Sequence, residues 1–351
     1  MAKNLEFRKF RRGDEEGLSS LFREIFHVEK NADYWNWKYF QNPAGQHMII
    51  VALDKDKIVG ATGTIPVRFK VGSNEIIASQ AIDLVLLPQY RGRRTFFTIE
   101  KIARKECIDN NVKFNYGFTI KKTYRIATKF LGFEGVYPIS NMTKVLNPSP
   151  YLRQKIRVGL LASPLGYVAK QVLNAFNRRK LSAFPGLTTG KISRFDSRFD
   201  DLWSKEADHY EVAVIRDSQY LNWRYVECPA LYKIYSAREN GSIKGFIVLG
   251  CFQEDIKRGR IVDIFVEKGR KDIADVLIAR GINYFIEECI DVITCWMLEQ
   301  WPIIESLIKR GFVKRETHHD FVVRSYTDEF PNEYFADKSK WYLTMGDSDY
   351  Y

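Results

Sequence analysis

Four landmarks of this sequence occur twice in the same order, so whatever constrains the folding of the first half constrains the second as well. Tyr34-Trp35-Asn36-Trp37-Lys38-Tyr39, followed by Pro43, returns as Tyr220-Leu221-Asn222-Trp223-Arg224-Tyr225, followed by Pro229. Each copy leads into a hairpin pattern. Met48 to Leu53 and Lys57 to Ile65 flank Asp54-Lys55-Asp56, while Tyr232 to Ala237 and Ser242 to Leu249 flank Glu239-Asn240-Gly241. Further along, Ile82-Asp83-Leu84-Val85 has its counterpart in Val262-Asp263-Ile264-Phe265, and Leu131-Gly132-Phe133 in Arg310-Gly311-Phe312. Each half therefore reads as helices, a hairpin, a buried strand, a helix, another strand, a helix ending in Gly-Phe, and final strands. A chain of 351 residues has room for two such units.

The stretch from Lys144 to Phe195 has no counterpart and reads as a connector. It also holds the charge. No Asp or Glu lies between Gly135 and Phe195, whereas Lys144, Arg153, Lys155, Arg157, Lys170, Arg178, Arg179, Lys180, Lys191 and Arg194 supply nearly all of the net +11. Such a block attracts nucleotide phosphates, nucleic acid or anionic lipid alike. Leu165, Val168, Val172 and Phe176 recur at helical spacing, which predicts an amphipathic helix. Pro164, Gly166 and Lys170 interrupt its apolar run, so it does not cross a bilayer. The expected division is 1–145, a basic connector 146–195, 196–330, and an extension 331–351 whose acidic end is read as frayed, with folding back onto the connector as the alternative. At 45% hydrophobic and 28% charged, the chain is expected to fold throughout. The start lacks an apolar leader, and the five cysteines are odd in number and unpaired in spacing, both as expected of a cytoplasmic protein.

The stretch Ile82-Asp83-Leu84-Val85-Leu86-Leu87-Pro88-Gln89-Tyr90-Arg91-Gly92-Arg93-Arg94, followed by a helical pattern through Cys107, is a strand, a basic turn and a helix start. Backbone N–H groups at such a turn, with the helix dipole and arginines, suit a pyrophosphate. Here the sequence resembles the GNAT superfamily of acetyl-coenzyme A dependent N-acetyltransferases. That family's pyrophosphate loop is Gln or Arg, two residues, Gly, one residue, then Gly or Ala, after an apolar strand and a Pro. Pro88, Gln89 and Gly92 fit; Arg94 stands where Gly or Ala is preferred, so either the loop opens differently or one amide is less accessible. The resemblance covers roughly 5–145 and 197–328, with the loop recognisable only in the first. Glu267-Lys268-Gly269-Arg270-Lys271-Asp272, in the second, is shorter and adds acids where a diphosphate would sit.

The resemblance implies an α/β (mixed α+β) architecture of two tandem GNAT-like domains, each a mixed, mostly antiparallel sheet flanked by helices. It implies acetyl-CoA held by Leu86, Gln89, Tyr90, Arg91, Gly92, Arg93, Arg94 and Thr95. The N–H of Leu86 would polarise the thioester carbonyl. An amine nucleophile must lose a proton, and Asp83 is the candidate carboxylate, with capping of the strand end as its structural alternative. In the family, a Tyr four residues before the Gly of the Gly-Phe helix end protonates the leaving thiolate. That position is Thr128 here. Tyr124, one turn earlier on the same helical face, is the candidate for this role or for packing. Asn115 and Tyr116, on the strand that would line the pantetheine arm, are candidates to face the acceptor.

Tyr34, Trp35, Trp37 and Tyr39 pair at i,i+3 and i,i+4 spacing and read as core, with sugar stacking as the functional alternative. His318-His319 has no ligand-spaced partner and reads as surface, so no metal site is expected. The functional expectation is an N-acetyltransferase acting on a small, anionic amine acceptor, an amino sugar or sugar nucleotide of surface polysaccharide by the resemblance. The basic connector offers peripheral contact with the inner membrane surface; a nucleic-acid partner is not expected. Two other readings stand beside it: a tandem GNAT-like transferase using aminoacyl-tRNA, and a non-catalytic module docking on membrane or nucleic acid.

Overall fold

A computed structural model describes residues 5–150, 171, 186–254, 256–296 and 303–349. The predicted amphipathic helix around Leu165 to Phe176 lies outside the described residues. The first half runs β1 (Glu6–Lys9), α1 (Glu15–Phe26), α2 (Ala32–Trp35), β2 (Met48–Asp54), β3 (Lys57–Val71), β4 (Asn74–Leu86), α3 (Arg93–Asp109), β5 (Phe114–Ile120), α4 (Lys121–Phe130) and β6 (Glu134–Val145). The second runs β7 (Leu187–Ile192), α5 (Ser197–Glu206), β8 (Val212–Val214), α6 (Ser218–Leu221), β9 (Tyr232–Glu239), β10 (Ser242–Gln253), β11 (Lys257–Val266), α7 (Lys271–Glu287), β12 (Val292–Trp296), α8 (Ile303–Lys309), β13 (Val313–Ser325), α9 (Asn332–Ala336) and β14 (Trp341–Tyr342).

The mixed α/β expectation holds, but the halves are not two separate domains with a sheet each. One sheet runs through the molecule in the order β1-β2-β3-β4-β5-β13-β6-β12-β11-β10-β9-β7. From either end inward, five strands of one half come first, and then a strand near the end of the other half, β13 or β6. Thus β13 pairs with β5 from His319↔Ile120 to Ser325↔Phe114, and β6 pairs with β12 from Val292↔Val145 to Trp296↔Asn141. The reason lies in edge chemistry: a half that ended at β5 or β12 would leave a row of unpaired backbone groups, and the exchanged strands close both edges.

The core follows the strand exchange. One apolar cluster joins Trp35, Phe69, Phe114 and Tyr116 of the first half to Val212, Trp223, Phe265 and Trp341 of the second. Strand β2 is buried along its apolar run from Met48 to Leu53 because helices cover one face and neighbouring layers the other. Helix α7 is apolar almost all round, burying Ile273, Leu277, Ile278, Ile282 and Phe285 in a second cluster.

Three local expectations change. The aromatic helices each break into a π-turn, Asn36–Phe40 and Asn222–Val226, closed by Gln41 N–H to Asn36 O (3.1 Å) and Glu227 N–H to Asn222 O (2.9 Å). The last part of the expected connector, Leu187–Ile192, is an edge strand pairing with β9. The stretch Trp341 to Met345, whose pattern reads as a strand, supplies β14, and the acidic end after it, read as frayed, is buried through Ser348: Trp341 and Tyr342 pair with β8, which pairs with β3, and Trp341 is 0% exposed. Aromatic bulk decides this, since Trp341 packs edge-on against Phe69, Phe114 and Phe321. Likewise His319, read as surface, is half-buried with its ring against Trp296 at 4.8 Å. Among the described residues no helix is long and apolar enough to cross a membrane.

Candidate active site

Strands β4 and β5 pair in parallel only at Ser79↔Asn115 and Gln80↔Tyr116. Beyond that point β4 continues along β3 to Leu86, while β5 continues along β13 to Ile120, so a wedge opens between them. Within the wedge β4 carries a bulge: its register against β3 shifts between Ala61 and Gly63, and Asp83 takes φ +54°. A left-handed conformation at a non-glycine residue beside a strand opening is the kind of stored strain that marks functional sites. Leu87 N–H donates to Val59 O at 2.9 Å. Alternation along an antiparallel pair then turns the N–H of Leu86 away from β3 and toward the wedge.

Above the wedge the chain makes a short turn at Pro88–Tyr90 and enters α3 at Arg93, with Gly92 as N-cap. No side chain caps this helix, leaving the N–H groups of Arg93, Arg94 and Thr95 without intrahelical partners. Arg91, Gly92, Arg93 and Arg94 are exposed. A Cβ built on Gly92 meets nothing within 4 Å, and its φ of −177° is ordinary extended backbone, so this glycine serves open space rather than a strained turn. Gln89 is exposed at the turn, Tyr90 ties the loop to the β2–β3 hairpin by donating to Asp54 (2.6 Å), and Arg91 Nε donates to Leu86 O (2.9 Å). The result is an anion cradle of amides and guanidiniums, and the residues present fit a diphosphate. Arg94, at the second helical position, is exposed.

Asp83 leaves this face. On β4, Ser79 lies 3.9 Å from Cys107 of α3, and Ala81 packs with Tyr124 and Ala127 of α4. The bulge turns Asp83 to the other side, where its Oδ2 accepts from Lys38 Nζ (2.7 Å) and Tyr39 OH (2.6 Å). Burial lowers the Lys38 pKa, but Asp83, Tyr34 and Asp349 overcome it and raise it above the ordinary lysine value. Burial and Asp83 together raise Tyr39 well above the usual phenol, and burial pushes Tyr34 up to about 12. Lys38 is therefore a permanent cation, 3% exposed, between Asp83 and the Asp349 carboxylate 3.7 Å away.

The two aromatic segments meet across the molecule's centre. Trp37 and Trp223 stack at 5.3 Å, and each indole donates to the other's carbonyl, Trp37 Nε1 to Trp223 O (2.6 Å) and Trp223 Nε1 to Trp37 O (3.0 Å). The stretch after β14 runs between them. Arg224 donates to Gly346 O and Ser348 O, and Gln80 and Tyr116 donate to Asp347 O. Beside this stretch lies a cavity of about 20 Å³ lined by Tyr34, Lys38, Gln80, Tyr220, Arg224 and Asp349, with both tryptophans. Outside Trp223 an open groove of about 550 Å³ is lined by Gln41, Arg194, Ser218, Gln219 and Glu227.

The structure thus brings Leu86, Gln89, Tyr90, Arg91, Gly92, Arg93, Arg94 and Thr95 to one mouth of the wedge. It separates Asp83 from Tyr124, which occupy opposite faces of β4. The Tyr124 ring lies over Gly135, where a Cβ would fall 2.2 Å from its hydroxyl. Asn115 and Tyr116 are 2% and 1% exposed and face opposite sides of the sheet, Tyr116 under the segment around Asp347 and Asn115 against Tyr326. Lys38 and Asp349 went unnoticed in the sequence. A cation recurs at positions 38 and 224 of the repeated aromatic motif, which is a usable signal; Asp349 carries no local signal at all. Glu100 of α3 was also missed: it accepts from Thr62 at 2.7 Å, and burial raises its pKa.

In the second half the loop equivalent is filled by its own side chains. Glu206 accepts Lys268 N–H (2.8 Å), Arg270 pairs with Glu239 and Asp272 (both 2.8 Å), and Glu267 with Lys205 and Lys244. Those acids already neutralise the cations that would face a diphosphate.

The sequence family described as Acetyltransferase (GNAT) domain matches residues 6–134, which hold the wedge and its loop. Among curated protein sequences none matches this one. Several solved structures share its fold. A conserved protein of Enterococcus faecalis, titled a probable N-acyltransferase, superposes with TM-score 0.63 at 10% identity, over 92% of this chain and 72% of that one. A GCN5-related N-acetyltransferase from Anabaena variabilis gives 0.61 at 12%, over 92% and 73%. Saccharomyces cerevisiae N-myristoyltransferase with bound myristoyl-CoA gives 0.63 at 13%, over 93% and 80%. Residues 6–134, which hold the wedge, the uncapped basic helix start and the bulged strand, are thus similar to the Acetyltransferase (GNAT) domain, and the chain shares its overall fold with these solved structures.

Proposed function

We propose that this protein transfers an acetyl group from acetyl-CoA to the amine of a small acceptor. The observation that carries the reading is the wedge between β4 and β5 with an exposed, uncapped, arginine-rich helix start at its mouth. Acetyl-CoA supplies an activated thioester. The cradle of Arg91, Gly92, Arg93, Arg94 and Thr95, approached by Gln89 and positioned by Tyr90, holds the diphosphate. The Leu86 N–H, aimed into the wedge, donates to the carbonyl oxygen as charge develops there. Tyr124, on the α4 face, serves the leaving sulfur, and the carboxylates held around Lys38 on the opposite face, Asp83 among them, serve the amine. Donor and acceptor would then approach the wedge from opposite sides of the sheet.

The two halves are read as copies of one unit, of which only the first kept a donor site. An amino sugar or sugar nucleotide is the acceptor class that the groove favours. Gln41, Ser218, Gln219 and Glu227 offer partners for hydroxyl groups, Trp223 a flat apolar surface, and Arg194 a positive charge. Tyr116 supports this side from beneath the segment around Asp347, and Asn115 supports the strand from the opposite face. Calorimetric titration of acetyl-CoA into the parent and into Gly92→Trp tests the donor site. The expected result is binding by the parent and its loss in the folded variant, because the indole fills the open space at the cradle. Equal binding by both proteins removes the loop from the donor site.

A further inference from the structure

We infer that Arg91 couples the two ends of the donor site: its guanidinium meets the diphosphate and, through Nε, occupies the Leu86 carbonyl, so that the Leu86 N–H beside that carbonyl can take the negative charge of the thioester oxygen. This rests on the acyl-transfer reading and assigns a positioning residue within it.

The backbone sets the problem. In an antiparallel pair the N–H and C=O of one residue point to the same side, and residues that bond the partner strand alternate with residues that do not. Leu87 N–H donates to Val59 O at 2.9 Å, so Leu86, opposite Gly60, turns both of its groups away from β3. Strand β5 pairs with β4 at Ser79 and Gln80 and has parted from it here. The edge of the wedge therefore presents a donor and an acceptor side by side. An oxygen that gains negative charge at the N–H stands next to a carbonyl oxygen, which repels it.

The turn after β4 removes that repulsion. Tyr90 N–H donates to Leu87 O (2.9 Å) and Arg91 N–H to Pro88 O (3.2 Å), folding the loop back over the strand it has just left. Tyr90 OH fixes the loop to Asp54 (2.6 Å), and from there Arg91 Nε donates to Leu86 O at 2.9 Å. The carbonyl is thus covered by a cation at the place where the oxyanion forms. Nε uses one edge of the guanidinium, and its Nη groups stay at the exposed mouth for phosphate oxygens. Among the described residues no acid pairs with Arg91. In the second half the same alternation recurs, with Glu267 N–H on Lys244 O (2.9 Å), but Arg270 of that loop is spent on Glu239 and Asp272, both at 2.8 Å. The loop arginine is neutralised in the half read as lacking a donor site and left charged in the other.

The step balances. The amine lone pair forms the N–C bond as the carbonyl π pair moves onto oxygen, facing the Leu86 N–H. On collapse that pair returns, the C–S bond breaks, and the sulfur leaves with the bonding electrons and receives the proton lost from nitrogen. Arg91 keeps its protons throughout.

The probe is acetyl-CoA labelled with carbon-13 at the thioester carbonyl, read by isotope-edited infrared difference spectroscopy at saturation, on the full chain and on Arg91→Met and Arg93→Met. Thermal melts confirm that each variant is folded, and calorimetry gives the affinities. The parent is expected to lower the carbonyl stretch relative to free acetyl-CoA. Both variants should bind about tenfold more weakly, each having lost a cation from the cradle. Arg93→Met keeps the parent's carbonyl frequency, whereas Arg91→Met loses roughly half of the shift. A full shift in Arg91→Met overturns the assignment and leaves that residue a phosphate contact. Binding by the parent with no shift overturns it too, while the donor site stands. No binding by the parent sinks the donor reading and the assignment together.

Discussion

Asp83 and Asp263 occupy matching places in the two halves, and their surroundings differ in one instructive way. Each lies on the fourth main strand beside a register shift, and each accepts from the tyrosine that ends the repeated aromatic motif, Tyr39 at 2.6 Å and Tyr225 at 2.8 Å. Around Asp263 the space is closed. Its carboxylate also meets Arg216 (3.2 Å) and Thr344 (3.0 Å), while Arg216 grips both oxygens of Asp347, and the side chains of Arg216, Asp263 and Asp347 are 0% exposed. Around Asp83 the backbone is strained to φ +54°, and the second acid, Asp349, stops 3.7 Å from Lys38 beside a cavity. The same carboxylate motif is a sealed tie in one half and an open, strained site in the other. A buried charge cluster must be complete to be tolerated, so the open copy is the one where something else is to be bound.

The contrast can be broken by experiment, and the largest effect belongs to the sealed copy. Arg216→Ala leaves Asp263 and Asp347 buried without their cation and is expected to cost about 3–5 kcal/mol in urea unfolding. A loss below 1 kcal/mol would mean that water reaches that cluster and that it is not sealed. Lys38→Met removes the cation that holds the acids of the open copy, where the cavity lets water reach the orphaned carboxylates, and the expected cost is smaller, about 2–3 kcal/mol. Equal costs at the two positions would erase the distinction.

A third test uses pH and a group specific to the first half. Burial among Phe10, Tyr39 and Phe40, aided by Lys9, lowers His47 to about 4. Its folded pKa lies below its unfolded value, so it is neutral in both states above about 6.5 and costs nothing there. As pH falls from about 6.5 toward 4 the unfolded chain takes the proton first, and about 2 kcal/mol of stability is lost, allowing for its partial exposure. His47→Gln should flatten that part of the stability profile; an unchanged slope would place the acid sensitivity elsewhere. The smallest effect concerns the second loop. Arg270→Ala should change stability by no more than about 0.5 kcal/mol, its pairs being near the surface, and should leave acetyl-CoA affinity unaltered. A drop in affinity would show that the second half does contact the donor.

Much of the fold was legible because it rests on local chemistry. The repeated aromatic motif, the hairpins, the strand through Ile82 to Leu86 and the helix starting at Arg93 follow from periodicity and turn residues, and the proposed diphosphate cradle needs nothing but a strand, a turn and a helix start in succession. The ionic surroundings of Asp83 were not legible. Lys38 and Tyr39 lie more than forty residues away, Asp349 further still, and nothing in a linear pattern couples them.

What the sequence determined by itself is therefore the repeated aromatic motif, the mixed α/β class and the strand, basic turn and helix start from Ile82 onward, since each depends on neighbours along the chain. Tertiary structure alone decided that the halves trade strands near their ends, that Trp341 to Asp349 is core rather than a loose end, and that one bulge aspartate is sealed while the other borders a cavity. Those outcomes turn on which open sheet edge, aromatic face or buried charge finds its complement, and the complements come from distant parts of the chain.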